Sequence, residues 1–452
     1  MTRLPFYIVT LSHEDWEAAE ACARRLPSEA LPELRLDLFP DHDPAVLVDA
    51  LHRRCLVSCR RRSEGGRWPD EDERARMERL LAAVEARPAW VDLEWDLPVP
   101  HELTQHRTHV NLLRSVHVAP GVFDLPQRLE DLPHGEAYKW VGHAGRLADN
   151  ARLKASLAWA RDHRITLSAF LMGPRGLPSR ALQGAWGGAF TYAAPDDGPP
   201  AAPGQVSLGT LRAWRCHRLG RGTGLCGVLG HPVLHSRGPA FHNPRFQQAF
   251  KDLLYLPLDA EDAAEALEAM EALGVLGASL TMPLKETVPA ALGLPGPLNT
   301  LWRRTPEAPW RQANTDAESL MEALAQQPGG PVLLLGDGGV AAASRAVLEA
   351  ARRPVLQVSR RNPAPPETVR SFAPAGVVQA TALGMRNDDP CPFPDLLEVA
   401  RPSLRWAVEW VYKEGTAFAA WARTSGLTLI EGAELFERQA EAQSRRFIEG
   451  CG

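Results

Sequence analysis

Lysine is scarce in this chain. Of 50 cationic residues only five are lysine: Lys139, Lys154, Lys251, Lys285 and Lys413. Where charge, solubility or an ion pair is all that is needed, the chain uses arginine. Arginine keeps its proton in a protein, so it serves neither as a Schiff-base nucleophile nor as a general base. A lysine retained in such a background is a candidate for chemistry, with chance retention as the competing reading for each. Long apolar runs are also lacking. The opening segment MTRLPFYIVTLSHEDW (1–16) turns polar after one short apolar run, too short for a signal peptide or a membrane span. It reads as a first buried strand, and a cytoplasmic location without membrane partners is expected. The net charge of −5 is not accompanied by a basic stripe, which excludes the usual footprint of nucleic-acid binding. The seven cysteines are scattered; Cys55 and Cys59 lie close, but no second pair or histidine cluster completes a zinc pattern. No metal is expected, and the thiols read as free.

A chain of 452 residues calls for two or three domains. Short apolar runs recur through the first half at 6–11, 33–39, 55–60, 90–95, 109–117, 138–143, 166–172 and 188–193. Amphipathic segments such as 72–86 and 148–163 separate them. Strands alternating with helices at this density predict an α/β fold whose N-terminal part is a (β/α)8 TIM barrel, with an open doubly wound sheet as the alternative. The glycine- and arginine-rich segment 218–224 breaks the pattern and reads as a linker. A new strand, LCGVLG (225–230), opens the second half, a third unit begins near PVLLLGDGG (331–339), and a long amphipathic helix (433–450) closes the chain.

PVLLLGDGGVAAASRAVLEAA reads as strand, tight glycine turn and helix. Gly336, Gly338 and Gly339 would let the backbone approach a pyrophosphate at the helix N-terminus, where free N–H groups and the dipole favour anions. The following strand ends in Ser359, Arg360 and Arg361, where an NAD site would place an acidic residue for the ribose hydroxyls. Arginines there suit a 2′-phosphate, so NADP(H) is the expected cofactor. An ordinary βα turn followed by solvated arginines is the competing reading.

The blocks GVLGHPVLHSRGPAFHNPRF (227–246), SLTMPLK (279–285), PLNT (297–300), ANTD (313–316) and ERQAEAQSRRF (437–447) fall in the order seen in shikimate dehydrogenase, which the second half resembles. That resemblance implies a substrate domain over 225–316, a Rossmann NADP-binding domain over 317–428, and a closing helix over 429–452 that returns to the substrate domain. It implies Lys285 and Asp316 as the catalytic pair. A lysine beside a carboxylate can supply the proton that the alkoxide needs after hydride addition to a ketone. Ser236, Thr281, Asn299, Asn314 and Gln439 would hold the substrate's hydroxyls and carboxylate.

ELRLD (33–37), CRRRSEGG (59–66), DLE (92–94), RSVH (114–117), YKWVG (138–142), LMGPRGLPSR (171–180) and APGQ (202–205) resemble, in order, type I 3-dehydroquinate dehydratase. The barrel would then span 1–217. By that resemblance Lys139 attacks the substrate ketone to form a Schiff base, His117 moves the proton and Glu64 orients its imidazole. Glu33, Arg35, Arg60, Arg180 and Gln205 would bind hydroxyls and carboxylate. Two consecutive steps are thus implied in one chain: 3-dehydroquinate to 3-dehydroshikimate, then reduction to shikimate.

Several positions depart from these patterns. Gly238 stands where the dehydrogenase family usually has a second serine; the expectation is one lost hydroxyl, open space beside the carboxylate-bearing ring carbon, and shifted or relaxed specificity between shikimate and quinate. Ser279, Gln379, Leu435 and, in the barrel, Tyr192 and Ala201 also differ from their families. The alternatives are a quinate/shikimate dehydrogenase of altered specificity in the second half, or a non-catalytic metabolite sensor. A sensor would be expected to lose Lys139, His117, Lys285 and Asp316, all of which are present.

Overall fold

A computed structural model describes residues 4–117 and 135–452. The chain divides into two compact units, Met1–Asn243 with Phe250–Val275, and Pro244–Ala249 with Leu276–Gly452.

In the first unit, eight parallel strands form a nearly closed barrel: β1 (Tyr7–Thr10), β2 (Ala30–Arg35), β3 (Leu56–Ser58), β4 (Trp90–Glu94), β5 (Asn111–His117), β6 (Ala137–His143), β7 (Leu167–Met172) and β8 (Thr191–Ala193). From β1 to β7 each strand pairs with the next in sequence, and β8 returns to pair with β1. The remaining gap is bridged where Ala189 N–H donates to Leu167 O (2.8 Å) and Ser168 Oγ donates to Phe190 O (2.7 Å). Because strand side chains alternate between faces, residues two apart share one. Ile8, Leu31, Leu56, Trp90, Leu113, Phe170 and Phe190 fill one interior cluster. Leu34, Val57, Val91, Leu93 and Leu112 belong to another, with Leu47, Val48, Leu80 and Val84 from the surrounding helices. Burying each of these aliphatic side chains contributes about 1.5–3 kcal/mol. Two residues beyond the apolar plug, the interior turns polar: Glu33 follows Leu31, Ser58 follows Leu56, Asp92 follows Trp90 and Ser115 follows Leu113. The polar end is the C-terminal end of the strands, the face on which barrel enzymes carry their chemistry.

One strand sits earlier than the apolar run 33–39 predicts. β2 is Ala30–Arg35, with Pro32 opposite Val9 of β1. Residues after Arg35 turn, with Leu38 N–H donating to Arg35 O and Phe39 N–H to Leu36 O. Proline conceals the start of the strand, while the apolar residues of the following turn extend the apparent run past its end. The helices Glu73–Glu85 and Asn150–Asp162 fall within their predicted segments.

After the barrel, the same unit holds β9 (Gly224–Gly230), paired in parallel with β10 (Leu253–Asp259), and a helix, Ala263–Leu273, whose N-terminus is capped by Asp262.

The second unit contains an antiparallel ladder of β11 (Val275–Leu280), β12 (Thr300–Trp302) and β13 (Arg311–Ala313). It also holds a Rossmann-like parallel sheet of β14 (Val332–Leu335), β15 (Val355–Val358), β16 (Gly376–Gln379), β17 (Trp406–Glu409) and β18 (Thr428–Ile430), in the order β15-β14-β16-β17-β18. The order reverses between β14 and β16, and such a switch point leaves a crevice at the carboxyl ends of the strands. The final helix, Gly432–Gly450, buries Leu435, Ala440, Gln443, Ser444 and Phe447.

Candidate active sites

At the polar end of the barrel, Lys139 on β6 is 1% exposed, and its Nζ donates to Asp92 Oδ2 at 2.6 Å. The Tyr192 hydroxyl lies 3.4 Å from the same nitrogen. Burial lowers the Lys139 pKa, Arg60 pushes the same way, and Asp92 and Glu33 oppose them. A buried amine held below its ordinary pKa is a better nucleophile than a solvated ammonium. In the β5–β6 register Ser115 faces Lys139 and His117 faces Val141. His117 is therefore one interior layer above Lys139, about 6.6 Å further along the strand axis on a neighbouring strand.

His117 Nδ1 stands 3.4 Å from Glu64 Oε2, within ion-pair range but outside hydrogen-bond geometry. Burial holds the imidazole well below its ordinary pKa, with Arg60, Lys139, Arg35 and Arg61 reinforcing the effect. Burial pushes Glu64 up to about 7, with Glu94 adding to it and Arg61 and Arg60 opposing. The imidazole is thus kept neutral and able to accept a proton.

Around this pair the arginines divide by partner. Arg60 Nη2 lies 3.4 Å from Glu33 Oε1 and 3.9 Å from Asp92 Oδ2. Glu33 also accepts from Thr10 Oγ1 (2.6 Å) and Ser58 Oγ (3.1 Å). Arg35 is committed to Asp37 by two hydrogen bonds of 2.7 and 2.5 Å. Asp37 in turn accepts from the backbone N–H groups of Arg60 and Arg67, pinning both ends of the turn that carries Glu64. Arg180 differs from the others. It is 1% exposed, its guanidinium sits 4.4 Å from the Phe170 ring centroid, and among the described residues its Nε and Nη2 have no hydrogen-bond partner. Burial lowers its pKa to about 10. A buried cation without a counter-charge is costly and is relieved by an anionic ligand. Gln205 uses its side-chain oxygen to accept from Ala201 N–H (2.7 Å), shaping its own loop. That loop is tied to the segment after β1 by Ser12 Oγ donating to Pro199 O (2.5 Å) and by His13 against Asp197 (3.3 Å).

Asp92, Asp37 and Tyr192 were not among the site residues expected from sequence. Asp92 was detectable: in WVDLE it shares a face with Trp90 and lies two residues beyond the interior plug. Asp37 could not be found this way, since its role depends on a turn closing over it.

In the second unit Lys285, in the first turn of the helix Leu284–Ala291, donates to Asp316 Oδ2 at 2.6 Å. Asp316 stands in the first turn of the helix Thr315–Ala325. Asn314 caps that helix through Ala317 N–H (3.0 Å) and donates to Pro297 O (2.9 Å), so both ends of its side chain are engaged. Asn299 accepts from Thr315 N–H (2.8 Å) and donates to Thr315 Oγ1 (3.0 Å). Gln439 Oε1 lies 3.3 Å from the same hydroxyl. Together Asn299, Asn314 and Gln439 surround Thr315 and fix the turn that carries Asp316. Gln443, missed in the sequence, joins this set by accepting from Ser279 Oγ (2.9 Å) and donating to Thr300 Oγ1 (3.0 Å). The half-buried Thr281 lies four residues before Lys285, and its carbonyl accepts from Leu284 N–H (2.7 Å).

In the first unit, Ser236 Oγ accepts from Gly238 N–H at 3.1 Å. The open space expected beside Gly238 is not there. A Cβ at Gly238 would stand 2.7 Å from Tyr255 Cε1, because the Tyr255 ring, stacked on His242, occupies that volume.

At the switch point Gly336 has φ +121°, and a Cβ there would lie 2.7 Å from Ala380 O, so glycine is required. Gly338 is exposed with no atom within 4 Å of its Cβ position, and it caps the helix Gly339–Ala350. A Cβ on Gly339 would meet Glu286 Oε1 at 3.4 Å. This exposed turn at the N-terminus of a three-turn helix fits a phosphate-bearing cofactor. Ser359 Oγ is occupied, accepting from Arg361 N–H (3.2 Å) and Asn362 N–H (3.0 Å). It shapes the turn on which Arg360 and Arg361 are exposed.

Residues 7–215 match the family model described as type I 3-dehydroquinase. Residues 228–294 match that of the shikimate dehydrogenase substrate binding domain. Among solved structures, the chain is similar to the dehydroquinate dehydratase and shikimate dehydrogenase from S. pombe AroM, with 21% identity, coverage of 99% of this chain and 96% of that one, and a TM-score of 0.41. It is also similar to shikimate 5-dehydrogenase from Thermus thermophilus in complex with NADP(H) and shikimate, with 29% identity, coverage of 50% and 93%, and a TM-score of 0.41. Quinate dehydrogenase from Corynebacterium glutamicum in complex with NAD matches at 21% identity, with coverage of 50% and 93% and a TM-score of 0.42.

Proposed function

We propose that this chain, a type I 3-dehydroquinase domain followed by a shikimate dehydrogenase substrate-binding domain, converts 3-dehydroquinate to 3-dehydroshikimate and then reduces that product to shikimate. The observation that carries the reading is a pair of lysine–aspartate contacts, Lys139–Asp92 and Lys285–Asp316, each at 2.6 Å. They lie in two different units, and each stands among residues suited to a different step. The functional division follows: a dehydratase barrel over 1–217, a linker at 218–224, a substrate domain over 225–316, a cofactor domain over 317–428 and a closing helix over 429–452.

In the barrel, the neutral Lys139 amine adds to the substrate ketone, and with one proton taken up from solvent the carbinol oxygen leaves as water, giving a protonated imine. The imine draws electrons from the adjacent carbon, whose proton His117 accepts; the same imidazolium then protonates the departing hydroxyl. Hydrolysis of the imine returns the amine. Arg180 provides the counter-charge for the substrate carboxylate, and Arg60 and Glu33 face its hydroxyls. Asp92 accepts from Lys139 Nζ and sets where the nucleophile stands.

In the second half, bound NADPH supplies the hydride. Gly336, Gly338 and Gly339 would admit its pyrophosphate, and Arg360 and Arg361 its 2′-phosphate. Lys285, held by Asp316, donates the proton to the ketone oxygen, while Asn299, Thr315 and Gln439 keep that pair in place. Ser236 and Thr281 complete the proposed substrate contacts.

The test is product identification after mixing the purified chain with 3-dehydroquinate and NADPH. Shikimate as the main product supports both halves and their order. Accumulated 3-dehydroshikimate without shikimate would overturn the second assignment. Quinate as the main product would overturn the order of the two steps.

A further inference from the structure

We propose that Glu265, which follows the barrel in sequence, is a positioning residue for the dehydratase site; this rests on the barrel reading above. Glu265 lies in the first turn of the helix Ala263–Leu273 and is 6% exposed. Its Oε1 accepts from Leu147 N–H (3.1 Å) and stands 3.0 Å from Arg175 Nε. Its Oε2 accepts from Glu261 N–H (3.1 Å). Arg175 also donates through Nη2 to Glu261 (2.6 Å) and through Nη1 to Gly145 O (3.1 Å). One buried carboxylate therefore joins the segments following β6 and β7.

Both segments lead to the site through short contacts. Asn150 Nδ2 donates to Leu147 O (2.8 Å) and to Arg175 O (2.7 Å), and its Oδ1 accepts from Ser179 N–H (3.1 Å). Ser179 Oγ donates to Gly176 O (2.7 Å) and accepts from Leu171 N–H (2.9 Å). Arg180 is the next residue. On the other side Gly173 N–H donates to Pro203 O (3.2 Å), two residues before Gln205. A Cβ on the intervening Gly204 would lie 2.4 Å from Gly173 O, so the two turns meet with no slack. Removing the Glu265 carboxylate leaves the buried Leu147 N–H without its acceptor and takes from Arg175 its buried counter-charge, leaving it the exposed Glu261, and the turn they hold carries the buried cation that receives the substrate. The helix after the barrel, part of the same compact unit, thus contributes to the affinity of the barrel's own site.

The experiment uses full-length Glu265→Ala and Glu265→Gln proteins, with dehydration of 3-dehydroquinate followed by steady-state kinetics and Tm recorded for each. The alanine variant is expected to raise KM on the order of tenfold with kcat within about twofold of the parent, as displaced substrate-positioning groups do. The glutamine variant keeps an acceptor for Leu147 N–H and is expected to recover most of that loss. A merely structural role predicts a lower Tm with KM unchanged in the alanine variant, and that result in folded Glu265→Ala protein overturns the proposal. Absence of dehydration in the parent protein would instead overturn the barrel reading itself.

Discussion

Lys139 on β6 reaches past β5 to Asp92 on β4, with Nζ and Oδ2 2.6 Å apart, and neither side chain is more than 4% exposed. The carboxylate raises the lysine pKa while burial and Arg60 lower it, and the net effect is downward. Replacing Asp92 by asparagine removes the larger opposing influence and leaves only that of Glu33. The acid limb of the dehydration pH–rate profile should therefore move to lower pH, while kcat falls about a hundredfold through lost positioning. A limb that stays in place or moves up would contradict the role assigned to Asp92.

Arg180 presents the opposite balance of stability and function. Its buried guanidinium has two nitrogens without partners among the described residues. Arg180→Met fills a similar volume without the charge and should raise Tm, since replacing uncompensated buried charge by apolar volume is commonly stabilising by about 1–4 kcal/mol. The same change should raise KM for 3-dehydroquinate at least about thirtyfold, the cost of truncating one partner of a buried charge pair. Thermal melts and steady-state kinetics on one sample check both; a lowered Tm with unchanged KM would refute the account.

Gly238 is fixed by its neighbour rather than by an empty pocket. Gly238→Ser places a Cβ 2.7 Å from the Tyr255 ring, which is buried and stacked on His242. The single change should destabilise the fold by about 1–3 kcal/mol, as overpacking does, and adding Tyr255→Leu should recover part of that loss. Denaturant titrations of the single and double variants measure this. Equal stability of Gly238→Ser and parent would show that the ring yields.

Glu409 gives a pH-dependent stability. It is 1% exposed, accepts from Val411 N–H (3.0 Å) and Thr416 Oγ1 (2.8 Å), and burial pushes its pKa up to about 7. The folded chain therefore holds this proton to higher pH than the unfolded chain does. Its contribution is fully present below about 4.5, is lost as pH rises to about 7, and changes little above that. Glu409→Gln has no proton to lose, so its stability relative to the parent should rise across this window by on the order of 3 kcal/mol. A difference between the two proteins that does not vary with pH would refute the assignment.

Much of the barrel was legible in the sequence because its interior follows a period of two. Trp90, Asp92 and Glu94 share a face, as do Leu113, Ser115 and His117, and the change from apolar to polar along each strand marks the reactive end. The start of β2 was not legible, because Pro32 is depleted from strands by propensity yet is accommodated opposite Val9 here. Lysine scarcity marked five candidates, and the surrounding motifs picked Lys139 and Lys285 from among them, but the aspartate beside Lys139 comes from another strand and is located only by register. Asn299 and Asn314 illustrate the reverse difficulty. Their residue types suit a ligand, yet their hydrogen bonds to Thr315, Ala317 and Pro297 build the turn beneath Asp316. The Tyr255 ring beside Gly238 depends on packing between residues seventeen positions apart, for which the sequence carries no local signal.

The most direct test of two consecutive reactions on two lysines is product analysis of Lys139→Met and Lys285→Met proteins, each given 3-dehydroquinate with NADPH and, separately, 3-dehydroshikimate with NADPH. The account predicts that Lys285→Met converts 3-dehydroquinate and stops at 3-dehydroshikimate. It predicts that Lys139→Met leaves 3-dehydroquinate untouched yet still reduces 3-dehydroshikimate to shikimate. If either variant retains both activities, or if one substitution abolishes both in a folded protein, the assignment of one step to each lysine is wrong.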